Sequence, residues 1–347
     1  MSRFPAELPS DALETVVSLH RPPGNVTVSG DGRVFFTYHP DLRPPVNVLE
    51  IVDGETIPYP SHEMQSRKDG APFFDTVLSL RVDRQNRLWT LDHGRHGFRQ
   101  PRLLAFDLAS GRQVHRRDFS GYEAPRGSNL NDFQVDPSGR WIYIADASIL
   151  RRRPAILVYD TEAKECRRVL EGHPSVNAEP FTPRVQGRTV RVLGLMPLRT
   201  GVDSIALDEE GRCLYYAPVT SRSLYRIETE TLRDARLSHQ QSAARVEVFA
   251  TKPMSDGITM DKSGNVYLTA IEYSAVMRLS QSGALDTIIE SPMLRWPDGF
   301  SFGPDGWLYV TCSALHEVLL KSQSGIKRRA PYHIFRFRPR FDGAPGR

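Results

Sequence analysis

Along most of the chain, apolar residues alternate with polar ones at a period of two, which is the pattern of half-buried β-strands. The alternating runs come in pairs around a short polar turn: 26–28 with 34–36, 80–83 with 88–89, 133–136 with 142–144, 205–208 with 214–216, 258–261 with 266–268, and 300–302 with 308–310. The turns carry Gly32, Asn86, Gly139, Gly211, Gly264 and Gly306, residue types that accept positive φ, at spacings of 54, 53, 72, 53 and 42 residues. A third strand is predicted after each pair, at 46–52, 102–107, 155–160, 224–227, 275–279 and 333–337, with a more polar fourth strand following some of them. Six such four-stranded units make the chain an all-β, six-bladed β-propeller. A spare strand at 14–20 is expected to complete the sixth blade and remove its open edge. Residues 1–347 then form one propeller domain, with 173–201 a long inter-blade loop rich in proline and arginine whose length suits a lid.

In a propeller the first strand of each blade lines the central channel, and its start shares a face with the end of the second strand. Counting eight residues back from each turn anchor gives Gly24, Leu78, Asn131, Asp203, Asp256 and Asp298. Converging oxygen side chains suit a divalent cation, Ca²⁺ or else Mn²⁺ or Zn²⁺, with Asp203, Asp256 and Asp298 as the candidate ligands. The competing reading is local: Asp256-Gly257 and Asp298-Gly299 are also common turn dipeptides. The ends of the second strands add Tyr38, His39, Asp92, His93, Asp146 and Glu272. Asp146, His93 and Glu272 are the candidates for moving a proton. Asn131, Asp132, Tyr38, His39 and Asp92 are the candidate substrate contacts, and Trp296 a candidate aromatic floor.

Composition narrows the alternatives. Of 347 residues, 39% are hydrophobic and 25% charged, a globular balance, and no apolar run approaches the ~20 residues of a membrane-spanning helix. The net charge of +4 is small, and the basic clusters at 151–153 and 327–329 lack interleaved aromatics, so no nucleic-acid partner is expected. Cys166, Cys213 and Cys312 lie far apart, which argues against a disulfide framework or a cysteine-based zinc site and for a reduced, cytoplasmic protein. No G-x-S-x-G, phosphate-binding loop or dinucleotide fingerprint is present, so no nucleotide cofactor is expected.

Three segments carry a family resemblance: Leu88-Trp89-Thr90-Leu91-Asp92-His93-Gly94, Leu130-Asn131-Asp132-Phe133-Gln134-Val135-Asp136, and Leu214-Tyr215-Tyr216-Ala217-Pro218-Val219-Thr220-Ser221. In this order they resemble the major royal jelly protein/Yellow family, over roughly 28–337. The resemblance implies a six-bladed propeller with a ligand channel. Bacterial members are often labelled as related to dopachrome tautomerase, and some insect members bind biogenic amines. Gln85 stands where the secreted insect proteins usually have a cysteine. The chain is more distantly similar to the SMP-30/gluconolactonase group, whose metal ligands correspond by offset to Gly24, Asp203 and Asp256, with a substrate-side asparagine at Asn131. That group has a glutamate where this chain has Gly24, and Asp298 is the neighbouring carboxylate able to replace it. The resulting expectation is a small-molecule enzyme catalysing lactone hydrolysis or tautomerisation, divalent-metal assisted. The alternative is a non-catalytic binder of an aromatic or biogenic-amine-like ligand.

Overall fold

The computed structural model describes residues 5–65, 73–192 and 196–347. Its architecture is six four-stranded antiparallel sheets, each running from an inner strand outward. The inner strands are Pro23–Val28, Val77–Val82, Leu130–Val135, Val202–Leu207, Ser255–Met260 and Pro297–Phe302. Each packs against the inner strands of the blades before and after it, and the sixth packs against the first, closing the ring. Glu14–Leu19 pairs antiparallel with Tyr332–Phe337 as the outermost strand of blade six, so the expected closure is observed. This removes the open edge that a three-stranded final blade would present.

The turn anchors behave as their residue types require. Gly32, Asn86, Gly139, Gly211, Gly264 and Gly306 all sit at positive φ. Aspartates three residues before four of these anchors brace the turn: Asp83, Asp136, Asp208 and Asp261 each accept a backbone N–H from within it. Inner strands are buried on both faces, whereas outer strands such as Gln113–Asp118 are half exposed. That contrast explains why the fourth strands are the faintest in the sequence. The core lies between blades: Trp89 and Leu91 of blade two pack with Phe133, Ile142 and Tyr159 of blade three.

One irregularity recurs around the ring. In all six blades the pairing of inner and second strands slips near the inner strand's start, between Pro23/Val26, Val77/Ser79, Leu130/Phe133, Val202/Ser204, Ser255/Ile258 and Pro297/Phe300. Gly24, Leu78, Asn131, Asp203, Asp256 and Asp298 fall inside these bulges, which bend a strand and re-aim its side chains. Thr37, Thr269 and Thr311, each five residues past its turn anchor, accept the backbone N–H groups that the bulges release. Asp256-Gly257 and Asp298-Gly299 are therefore parts of inner strands, not turn dipeptides. Gly257 is required there, because a Cβ would collide with the carbonyl oxygen of Asp298 on the next blade.

The two ends of the channel differ. At the turn end, residues 343–347 fold back against blade six: Gly346 N–H donates to the Phe302 carbonyl, and Arg347 donates to the Asp208 carbonyl. At the other end, the segment 173–201 places Thr189, Val190, Leu198 and Thr200 in the wall of a cavity. Val185 and Val190 anchor it by packing with Met254, Ile271 and Trp296.

Candidate functional site

The cavity at that mouth has a volume of about 520 Å³. Five of the six offset positions line it: Leu78, Asn131, Asp203, Asp256 and Asp298. Trp296 and His39 line it too, and Leu198, Val219 and Leu315 supply apolar wall. Such a lining, mostly apolar with a few convergent polar groups, is that of a small-molecule pocket.

The three carboxyls are electrostatically one unit. Burial, with Asp256 next, holds Asp203 well above the usual carboxylate range, and the Asn131 side chain pulls it back by hydrogen bonding. Burial, then Asp256 and Asp203, does the same to Asp298. Asp256 is pushed up to about 6 by burial, against the hydrogen bond from Trp296. Each carboxyl raises its neighbours, so the three resist ionising together and titrate as a group. Lys252 lies near Asp256; its own buried ammonium falls to about 7 and donates to the carbonyls of Ser221 and Pro253.

The donor chemistry of the three aspartates is that of a hard-cation site, but their arrangement does not fit one. Asp256 commits Oδ2 to the indole of Trp296 at 2.6 Å. Among the described residues, no three His, Cys, Asp or Glu side chains are grouped so as to hold a metal ion. At Gly24 a side chain has no room, because its Cβ would lie 2.7 Å from Thr37 Oγ1, which hydrogen bonds the Leu78 carbonyl.

The remaining sequence candidates lie outside the cavity wall, and each has a structural partner. Asp92 accepts from Asp75 N, Thr76 N, Thr76 Oγ1 and Gly94 N. Asp146 accepts from Asn129 N and Ser148 N and pairs with Arg168 at 2.8 Å. Glu272 takes Met254 N and the Arg222 guanidinium. These three acids do one job in three blades: each ties the segment entering its blade's inner strand to the segment leaving the second strand. Asp132 is held by Arg81, whose Nη2 donates to both carboxylate oxygens at 2.8 Å, with Ser79 Oγ donating to Oδ1 at 2.7 Å. Asn25, on blade one, joins that network through Arg81. His93 is buried, with Nδ1 accepting the His96 backbone N–H, and burial lowers it to about 4. Tyr38 packs edge-on against Phe36 in the core.

Sequence reasoning did not reach Asp41, Asn129 or His316, all in the cavity wall. Asp41 and Asn129 sit outside the repeated offsets, one just after His39-Pro40 and one ahead of Asn131. His316 stacks on Trp296 at 6.0 Å with 14° between the planes, from the segments that enter and leave the inner hairpin of blade six.

Fold and cavity together define a six-bladed propeller with a small-molecule-sized pocket at one mouth of its channel. The family model for the major royal jelly proteins matches residues 75–291, and the chain belongs to that family. Among curated relatives from Apis mellifera, major royal jelly protein 6 is 24% identical over 233 residues, covering 63% of this chain and 50% of the relative. Major royal jelly protein 1 is 26% identical over 235 residues, 63% and 51% of the two chains. The chain thus spans about half the length of these two relatives. Solved structures of the same fold include a luciferin-regenerating enzyme (TM-score 0.62, 15% identity, 96% of this chain and 97% of that one). Others are regucalcin, a calcium-binding protein from Agrobacterium tumefaciens (0.61, 15%, 99% and 100%), and a gluconolactonase from Xanthomonas campestris (0.59, 15%, 94% and 89%). Among the described residues no helix is long and apolar enough to cross a membrane.

Proposed function

We propose that the protein is a small-molecule enzyme of the acid–base type, acting at the channel mouth on a neutral lactone or an enolisable carbonyl compound. The observation that carries this reading is the convergence of Asp203, Asp256 and Asp298 in the wall of one cavity. A cluster that shares protons supplies an acid and a base side by side. In lactone hydrolysis, an ionised carboxyl of the cluster takes a proton from water as its oxygen attacks the carbonyl carbon. A protonated neighbour then gives its proton to the ring oxygen as the C–O bond breaks. The product is a hydroxy acid, whose carboxylate the cluster repels, which favours release. In tautomerisation the same pair removes a proton from carbon and delivers one to oxygen. Asn131, bonded to Asp203, orients that carboxyl. A gluconolactonase on the same fold is consistent with lactone chemistry here. No step is assigned to a divalent cation, because the carboxyls are not arranged around a common ion position.

The test is turnover of dihydrocoumarin, a neutral lactone, and of 1-phenyl-1,3-butanedione, a neutral enolisable diketone, in chelator and again with added Ca²⁺, Mn²⁺ or Zn²⁺. Turnover in chelator that Asp256→Asn lowers by roughly 100-fold or more supports the reading. Rates equal to buffer in every condition sink it, and activity confined to one added ion would return the three aspartates to a metal-ligand role.

A second reading has its own observation. Trp296 stacked on His316 beside the carboxyls forms an aromatic wall next to negative charge, which suits a bound aromatic amine without turnover. Calorimetry with phenethylamine in chelator separates the two, since only this reading predicts tight binding together with no activity on either neutral probe.

A further inference from the structure

The loops at the two ends of the propeller differ in what they expose. Among the described residues, six large apolar side chains on loops are between 38% and 94% exposed: Phe98, Tyr122, Leu150, Tyr273, Met293 and Leu320. All six stand at the cavity end, where second strands finish and inner strands begin. The other exposed ones, Val52, Ile57, Val114 and Val248, lie on third or fourth strands, so no described loop at the turn end carries one. Single exposed apolar side chains are ordinary; loop anchors confined to one end are not.

The six form two trios. Phe98, Tyr122 and Leu150 occupy three consecutive loops of blades two and three. Those loops are joined by Gly127 N–H donating to the His96 carbonyl and Arg151 N–H to the Gly127 carbonyl. Tyr273, Met293 and Leu320 occupy three consecutive loops of blades five and six, joined by Ser291 N–H to the Ser274 carbonyl and Ala314 N–H to the Arg295 carbonyl. In a six-bladed ring these two pairs of blades are half a turn apart, so the trios flank the cavity mouth from opposite sides.

Charge is segregated along the same axis. Arg43, Arg126, Arg184, Arg199, Lys321 and Arg328 are exposed at the cavity end and have no ion pair among the described residues. The exposed acids there, Asp41, Glu63 and Asp118, all have partners. Exposed acids without an ion pair collect instead at the turn end, Asp53, Glu55, Glu165, Glu228, Glu230 and Asp305 among them. The rim of the cavity mouth therefore carries an excess of free positive charge.

We propose that the cavity end is a docking face for the surface of an anionic lipid bilayer, with the two trios as apolar anchors and the free arginines and lysines on the headgroups. Two anchor sets half a ring apart are met together only by an extended, flat partner. A bilayer interface takes separate anchors, each side chain entering fluid lipid on its own, whereas a protein interface needs one contiguous apolar centre. Phenylalanine, tyrosine and leucine suit the boundary between headgroups and acyl chains, and basic side chains gain from anionic headgroups. The contact is peripheral and turns the cavity mouth toward the lipid.

The experiment is co-sedimentation of the whole protein, at physiological salt, with vesicles of phosphatidylcholine alone or with about one part in four phosphatidylglycerol. We expect roughly ten-fold or more tighter binding to the anionic vesicles. The triple variants Phe98→Ser/Tyr122→Ser/Leu150→Ser and Tyr273→Ser/Met293→Ser/Leu320→Ser are each expected to lose roughly ten-fold in that binding, and Val114→Ser/Val248→Ser to stay within about two-fold of wild type. Should a triple variant fail to fold, Phe98→Trp and Leu320→Trp decide. Lipids brominated on their acyl chains are expected to quench the added indole in both, beyond any quenching of wild type. Equal or absent binding to the two vesicles, a loss confined to one trio, or an added indole left unquenched overturns the proposal. So does a dimer in solution that either triple variant dissolves, which would put a second copy on this face. Docking requires no turnover, so its failure and that of the enzyme reading are seen separately.

Discussion

The indole nitrogen of Trp296 donates to Asp256 Oδ2 at 2.6 Å, joining the loop before blade six's inner strand to a carboxyl on blade five's. The bond favours the ionised carboxylate, so it opposes the burial that raises Asp256 to about 6. Trp296→Phe keeps most of the ring and deletes the donor. The midpoint of Asp256, followed by carboxyl ¹³C NMR, is expected to move upward by about one on the pH scale, the size of a hydrogen bond to a charged group. An unchanged midpoint would mean that the indole does not tune this carboxyl.

The carboxyl cluster sets an uncommon sign for the dependence of stability on pH. A folded-state value of about 6 against 3.8 means that the native state binds more protons than the unfolded chain between those values. Stability from Asp256 is therefore greatest below about pH 4, falls as pH rises from about 4 to 6, and is lost above 6, by roughly 3 kcal/mol at the limit. Asp203 and Asp298, raised in the same direction, add to the fall. Denaturant midpoints between pH 5 and 8 are expected to drop more steeply in the wild type than in Asp256→Asn; parallel curves would contradict the coupling.

Asp146 separates a structural acid from a chemical one. It pairs with Arg168, both nearly inaccessible, and staples the entry to blade three's inner strand. Asp146→Asn keeps an acceptor for the backbone but removes the charge facing Arg168, which retains Glu171 at 2.9 Å, and is expected to cost about 2 kcal/mol of stability. Any turnover of the folded variant should stay within a few-fold of wild type, unlike that of Asp256→Asn.

Gly257→Ala tests the packing of adjacent bulges. The added methyl meets the backbone oxygen of Asp298, which cannot rotate away as a side chain would. A loss of about 2–3 kcal/mol or more in chemical denaturation is expected. A neutral substitution would show that the bulges are not in register across the ring.

What was legible in the sequence follows from short-range physics. Period-two alternation and the glycine or asparagine at each turn specify the hairpins, and their spacing specifies six blades. The repeat offset also found Asp203, Asp256, Asp298 and Asn131, because each blade repeats the same bulge at the same distance from its turn. The offset did not separate acids facing the cavity from acids that brace the backbone. Asp92, Asp146 and Glu272 look like site residues by position, yet their oxygens are used by N–H groups and arginines brought near only by folding. Asp132 is similar: its partner Arg81 lies on another blade, 51 residues away.

The sequence by itself determined the strands, their turns, the ring of six and the place in each blade where a side chain enters the channel. Tertiary structure alone decided which of those side chains share one cavity. It also decided that Gly24 leaves no room for a ligand beside Thr37 and that Trp296 claims an oxygen of Asp256. The physical reason is range: backbone conformation is set by neighbours a few residues apart, whereas burial, charge coupling and hydrogen-bond satisfaction depend on groups that closure of the ring brings together from distant parts of the chain.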